Sequence, residues 1–143
     1  MDLQTMIRIA KASAQAYKID PALVCAVCEH ESGGWNPWAI RFEPAFFDRY
    51  VVPMHLNPTE GYARAFSYGL MQVMGQTARE FGFKDRYLTE LCDPLVGVDY
   101  GCKKLSHCLE ISKGDIRAAL LKYNGGSNLQ YPDLVLPLME KYQ

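Results

Sequence analysis

The chain has 143 residues, of which 49% are hydrophobic and 22% charged, with a formal net charge of −1. That length is enough for a core without metals or disulfide staples, and a single domain over residues 1–143 is expected. Near-neutral charge without runs of like sign argues against nucleic acid or an anionic membrane surface as partner, and no apolar run reaches membrane-spanning length, so no membrane insertion is expected.

Residues 2–17 place Leu3, Met6, Ile7, Ala10, Ala14 and Tyr17 at a period near that of an α-helix. Asp20 before Pro21 reads as an N-cap with proline at the first helical position, and Gly33 supplies a left-handed stop, which predicts a second helix over 21–32. The Trp35-Asn36-Pro37-Trp38 loop then leads to a short helix over 43–50, and Pro53, Pro58 and Gly61 predict an extended loop over 53–62. After the segment 67–74 come a helix around 77–81, a long helix from Asp93-Pro94 to Ile111, and one capped by Asp115 that ends at Asn124-Gly125-Gly126. A last helix spans 132–142, kinked or interrupted at Pro137. No segment alternates with period two, so the fold class is mainly α, with at most a small hairpin or extended strands between residues 35 and 70.

The most informative stretch closes the second helix: Cys28-Glu29-His30-Glu31-Ser32-Gly33-Gly34. At roughly 100° per residue, Glu31 falls on the face of Leu23, Val24 and Val27, while Glu29 points nearly the opposite way. A carboxyl held against apolar neighbours loses hydration of its charged form, so the pKa of Glu31 should rise and let it keep a proton near neutral pH, as a general acid must.

The five cysteines, Cys25, Cys28, Cys92, Cys102 and Cys108, form an odd set in a chain whose start lacks a basic, apolar secretory leader, which favours free buried thiols. Cys25 and Cys28 form a C-x-x-C inside a helix, but no second pair lies at zinc spacing, so they read as packing residues.

Glu31-Ser32-Gly33-Gly34, Ser67-Tyr68-Gly69-Leu70-Met71-Gln72-Val73 and Ala118-Ala119-Leu120-Leu121-Lys122-Tyr123-Asn124-Gly125-Gly126, in that order and spacing, resemble the soluble lytic transglycosylase and goose-type lysozyme family of peptidoglycan-cleaving enzymes. The resemblance covers roughly residues 20–126 and implies a lysozyme-like helical domain with a glycan groove and little or no β-structure. By the same resemblance Glu31 matches the catalytic acid and Ser32 supports it. Met71 and Gln72 would lie beside the sugar, and Tyr123 with Asn124 would close the opposite wall. Gln72 and Asn124 carry both donors and acceptors for hydroxyl and acetamido groups, and Tyr123 is suited to hydrogen-bond the carboxyl and orient it.

The activity so implied is cleavage of the β-1,4 bond between N-acetylmuramic acid and N-acetylglucosamine by a lytic transglycosylase, with Glu31 as acid and then base and a 1,6-anhydro-muramyl product. Two alternatives stay open. A hydrolytic muramidase needs a second carboxylate, about 5 Å away for retention or about 6.5–9.5 Å for inversion; Glu43, twelve residues after Glu31, is the candidate and Asp48 a weaker one. A non-catalytic glycan-binding module would keep the fold alone. Glu43 is equally readable as an acid favoured at the start of the helix opened by Pro44. His30, His55 and His107 show no catalytic partner. The expected partners are peptidoglycan glycan strands, with other phage or cell-wall proteins as further candidates, and no metal or organic cofactor is implied. The expected place of action is the cell wall, in the periplasm or outside, for a phage virion or lysis protein or after removal of a leader.

Overall fold

A computed structural model describes all residues from Met1 to Gln143. The organising element is α2 (Pro21–Glu31), in which every residue from Ala22 to Cys28 is at most 3% exposed. A helix apolar on all sides must be surrounded. α1 (Leu3–Ala16) covers one side with Met6, Ala10 and Ala14, whose spacing of four keeps them on one face and whose small size lets the axes approach. The C-terminal segment covers another: α8 (Tyr131–Val135) passes into a 3-10 helix over Leu136–Tyr142, because Pro137 has no N–H to continue the α ladder. That segment is pinned to α2 and its following turn by Lys141, which donates to Glu29 at 2.8 Å, and by Tyr142, which accepts from Trp35 Nε1 at 2.8 Å and donates to Glu29.

α6 (Pro94–Ile111) and α7 (Ile116–Tyr123) complete the helical body. Both start where an aspartate side chain accepts from the first turn, Asp93 from Leu95 N at 2.9 Å and Asp115 from Ala118 N at 3.1 Å. One core cluster of 29 buried residues runs through all these helices. The five cysteines are buried and free.

Between α2 and α6 lies a small antiparallel sheet in the order β1 (Ile40–Phe42), β2 (Phe66–Tyr68), β3 (Val73–Met74). Its third strand lies beyond residue 70, and with strands of two or three residues there is no alternation for a sequence reading to detect. The stretch joining β1 to β2 is helical: α3 (Pro44–Phe46) runs into a π-helical turn at Phe47–Val51 and a 3-10 turn at Val52–Met54, and then comes α4 (Pro58–Arg64). The extended loop expected over 53–62 is therefore corrected. Pro58 stands at the first helical turn, where it starts a helix rather than breaking one, and the Asn57 side chain caps it by accepting from Thr59 N at 3.0 Å. Glu60 ties α4 to α5 (Gly75–Glu80), accepting from Arg64 Nε at 2.6 Å and Arg79 Nη2 at 2.9 Å. No helix is long and apolar enough to cross a membrane.

The β2–β3 turn is fixed by close approach to α6 and to the 3-10 helix before it (Leu88–Cys92). Gly69 sits at φ +74°, and a Cβ there would stand 2.4 Å from the Leu91 carbonyl oxygen. Gly101 opens α6 to the Met71 side chain, so that a Cβ would meet Met71 Cβ at 2.6 Å. Gly69→Ala is expected to cost about 2–4 kcal/mol of unfolding free energy, from the left-handed backbone and the displaced carbonyl together. Gly114→Ala, at φ +82° with nothing within 4 Å, should cost only about 1 kcal/mol. Urea melts of both variants read the difference, and equal losses would contradict the contact with Leu91.

Candidate active site

Burial of α2 leaves Glu31 no exit except at the helix end. The turn that follows is held by Ser32, whose hydroxyl donates to Cys28 O at 2.6 Å and accepts from Trp35 N at 2.8 Å. Gly33 and Gly34, at φ +65° and +96°, then carry the chain away. Glu31 is thereby left on the wall of a cleft of about 470 Å³.

Sheet register builds the floor of that cleft. Arg41 stands opposite Ser67, and Ser67 opposite Met74, so three side chains share one face, and all three line the cavity. α6 and α7 build the far wall with Lys104, Lys122, Tyr123 and Asn124, and Glu43 and Phe46 stand at the end of β1 and in α3. A larger groove of about 710 Å³ lies between α1 and α6, but it is open and mainly apolar, and its acid, Asp99, already accepts from Tyr17 at 2.6 Å and pairs with Lys103 at 3.6 Å. It lacks convergent polar groups, which sets the cleft at Glu31 apart.

The two neighbouring acids of α2 have opposite environments. Burial pushes the Glu31 carboxyl above its ordinary value, against the lowering influence of a hydrogen bond from Tyr131 and of His30, Lys104 and Arg41. Partial burial also acts on Glu29, yet the hydrogen bonds from Lys141 and Tyr142 outweigh it and hold that carboxyl below its ordinary value. Tyr131, 2% exposed at the start of α8, donates its hydroxyl to Glu31 Oε1 at 2.8 Å, and the edge of the aromatic pair with His30, centroids 5.3 Å apart, fixes its ring. Glu31 Oε2 takes no hydrogen bond from the protein. The carboxyl is thus oriented by one oxygen and free to act through the other.

The structure brings Glu31, Glu43, Gln72, Tyr123 and Asn124 together around the cleft, and places Ser32 and Met71 elsewhere. Met71 is 0% exposed and packs on Gly101, so its side chain belongs to the core rather than beside a sugar. Ser32 is 3% exposed and serves the backbone turn after Glu31, not the carboxyl. Tyr123 does not orient Glu31 either: its hydroxyl donates to Met71 O at 2.6 Å, which locks the β2–β3 turn against α7. Gln72, at φ +48°, spends its amide N–H groups on Ala39 O at 2.9 Å and Gly69 O at 3.0 Å, leaving its side-chain oxygen as the acceptor at the cleft. Asn124 presents a buried Nδ2 that has no partner. Glu43 pairs with Arg41 Nε at 3.2 Å.

Tyr131, Arg41 and Lys104 were not foreseeable as a set. Tyr131 meets Glu31 across a separation of 100 residues, and its one local signal is Pro132, which marks a helix start. For Lys104 the signal is Gly101 three residues earlier, which marks the face of α6 that approaches the turn.

Residues 8–130 match the family model of the Transglycosylase SLT domain. Over 126 residues the chain is 34% identical to a protein named Transglycosylase from Enterobacteria phage PRD1, an alignment covering 88% of this chain and 36% of the relative. The chain thus spans about a third of the length of the curated relative it matches. No solved structure matches it. With a match that takes in Glu31, the sheet floor and the walls from α6 and α7, the chain belongs to the Transglycosylase SLT domain family.

Proposed function

We propose that residues 1–143 act as one catalytic domain that cleaves the β-1,4 bond between N-acetylmuramic acid and N-acetylglucosamine in peptidoglycan by lytic transglycosylation. The observation that carries this reading is the Glu31 carboxyl: shielded from water, held by Tyr131 through one oxygen, and facing a sugar-sized cleft with the other. The protonated carboxyl gives its proton to the glycosidic oxygen as the bond from that oxygen to the muramoyl C1 breaks, and the N-acetylglucosamine side leaves with a new hydroxyl. The acetamido oxygen of the muramoyl unit stabilises the cationic C1. The Glu31 carboxylate then takes the proton of the C6 hydroxyl as O6 bonds to C1, closing the 1,6-anhydro ring and restoring the acid without water. Lys104 and Arg41 favour the charged form of Glu31 and so ease the half of the cycle in which the proton is away. Gln72 and Asn124 supply hydrogen bonds to sugar hydroxyl and acetamido groups.

Glu43 supports a second reading, hydrolysis. It lines the same cleft with a side chain 32% exposed, so it could activate a water, although its pairing with Arg41 ties up part of its charge. Mass spectrometry of digested sacculi decides between the two. Anhydro-muramyl ends are expected, and reducing ends carrying solvent oxygen would make the enzyme a muramidase. Glu31→Gln should lower turnover by at least about 100-fold. Glu43→Gln should cost transglycosylation far less than that, whereas a muramidase would lose comparable rate in both variants.

Two pH effects follow from the environment of Glu31. Tyr131→Phe removes the hydrogen bond that lowers the Glu31 pKa, so the alkaline limb of the kcat/KM profile, where the acid loses its proton, should move to higher pH. An unmoved limb would show that Tyr131 does not govern this carboxyl. Between the ordinary value and its raised folded-state value Glu31 keeps a proton in the folded protein that the unfolded chain releases, so stability falls as pH rises through that window and stays lowered above it. Glu31→Gln should therefore raise the thermal midpoint at pH 7, and calorimetric scans should show the gain fading in acid below the ordinary value of 4.5.

A further inference from the structure

Two cations line the cleft without a carboxylate partner, Lys104 and the exposed Lys122, and Lys104 is the one held among core residues. Lys104 belongs to the inward stripe of α6 with Gly97, Gly101, Leu105 and Cys108, and Leu105 and Cys108 are 0% and 5% exposed. An ammonium in such surroundings is costly unless something holds it. Its Nζ donates to Tyr123 O at 2.8 Å and lies 4.2 Å from the Tyr123 ring centroid. Both partners are uncharged, and two of its three N–H donors remain uncommitted.

The charge balance of the cleft gives those donors a purpose. Arg41 and Glu43 neutralise each other. With Glu31 protonated, as the acid proposed above must be, the positive charges of Lys104 and Lys122 are left without acidic counterparts among the residues lining the cleft. On the same wall, the buried Asn124 Nδ2 has no hydrogen-bond partner. A wall that offers an ammonium and an amide donor, and no anion of its own, complements a carboxylate.

We propose that Lys104, with Asn124, recognises a carboxylate of the substrate, so that the cleft selects anionic glycan strands over neutral ones. This assignment rests on the peptidoglycan reading of the cleft. Muramoyl strands offer the same chemistry from two sources: the lactyl acid of units stripped of their peptide, and the acids of the peptide stems.

The Glu31→Gln protein, whose neutral side chain mimics the protonated acid, allows binding to be read without turnover. It is titrated calorimetrically at low salt with soluble strands carrying intact stems, with strands stripped by an amidase, and with intact strands whose carboxyls have been converted to methylamides. At least one of the charged preparations should bind about tenfold more tightly than the neutralised one. The stripped strands prevail if the lactyl acid is the ligand, and the intact strands if the stems are. Adding Lys104→Met should bring that ratio close to one, and Lys104→Arg should keep most of it, with circular dichroism confirming the fold of each. Equal binding of all three preparations by the Glu31→Gln protein would overturn the proposal without touching Lys104, as would a preference that survives in folded Lys104→Met. Failure of every preparation to bind would instead overturn the peptidoglycan reading itself.

Discussion

Everything in this molecule depends on half-burying one carboxyl against the core without neutralising it with a fixed partner. Glu31 owes that state to α2, which is buried all round and opens to a cleft only at its last residue. The single protein hydrogen bond to the carboxyl comes from an uncharged phenol, and the cations nearby act through space rather than by contact. A carboxylate in contact with an arginine or lysine would be driven down in pKa and lose its use as an acid. Glu29, two residues earlier and held by Lys141 and Tyr142, shows that outcome on the same helix.

The rest of the architecture serves this placement. The C-terminal segment, held to α2 through Glu29 and Trp35, carries Tyr131 to Glu31, so the ion-paired acid of α2 helps to seat the residue that orients the other. The short sheet sets a row of side chains beneath the carboxyl, and the turn between β2 and β3 is clamped from both sides, by Gly101 receiving Met71 and by Tyr123 donating to the Met71 carbonyl. Residues that look like substrate contacts thus act one step back, fixing the frame from which Gln72, Arg41 and Ser67 reach the cleft.

Much of the helical body was legible in the chain because its punctuation is explicit: Asp20-Pro21, Asp93-Pro94 and Asp115 each cap the helix that follows, and Pro137 ends α geometry where it must. Pro58 is ambiguous in sequence because proline starts helices as well as interrupting them, and the local feature that marks the helix start is Asn57 before it. Helical phase separates Glu31 from Glu29 in the sequence, but α2 is buried on every face from Ala22 to Cys28, so the cleft at Glu31 comes from its place at the helix end rather than from its phase. The partner of Glu31 was not legible, since Tyr131 and Tyr123 are equally plausible phenols in one dimension, and only the docking of α8 on α2 distinguishes them. Met71 and Ser32 show the same limit: a short motif fixes which residues are near a site, while burial decides which of them face it.

Titration of the side-chain carboxyl carbons by ¹³C NMR tests the central claim most directly, because Glu29 and Glu31 report from the same helix in one experiment. Glu31 should titrate above the ordinary glutamate value of 4.5 and Glu29 below it. Titration of Glu31 at or below the ordinary value would contradict the account, leaving the cleft without an acid at neutral pH.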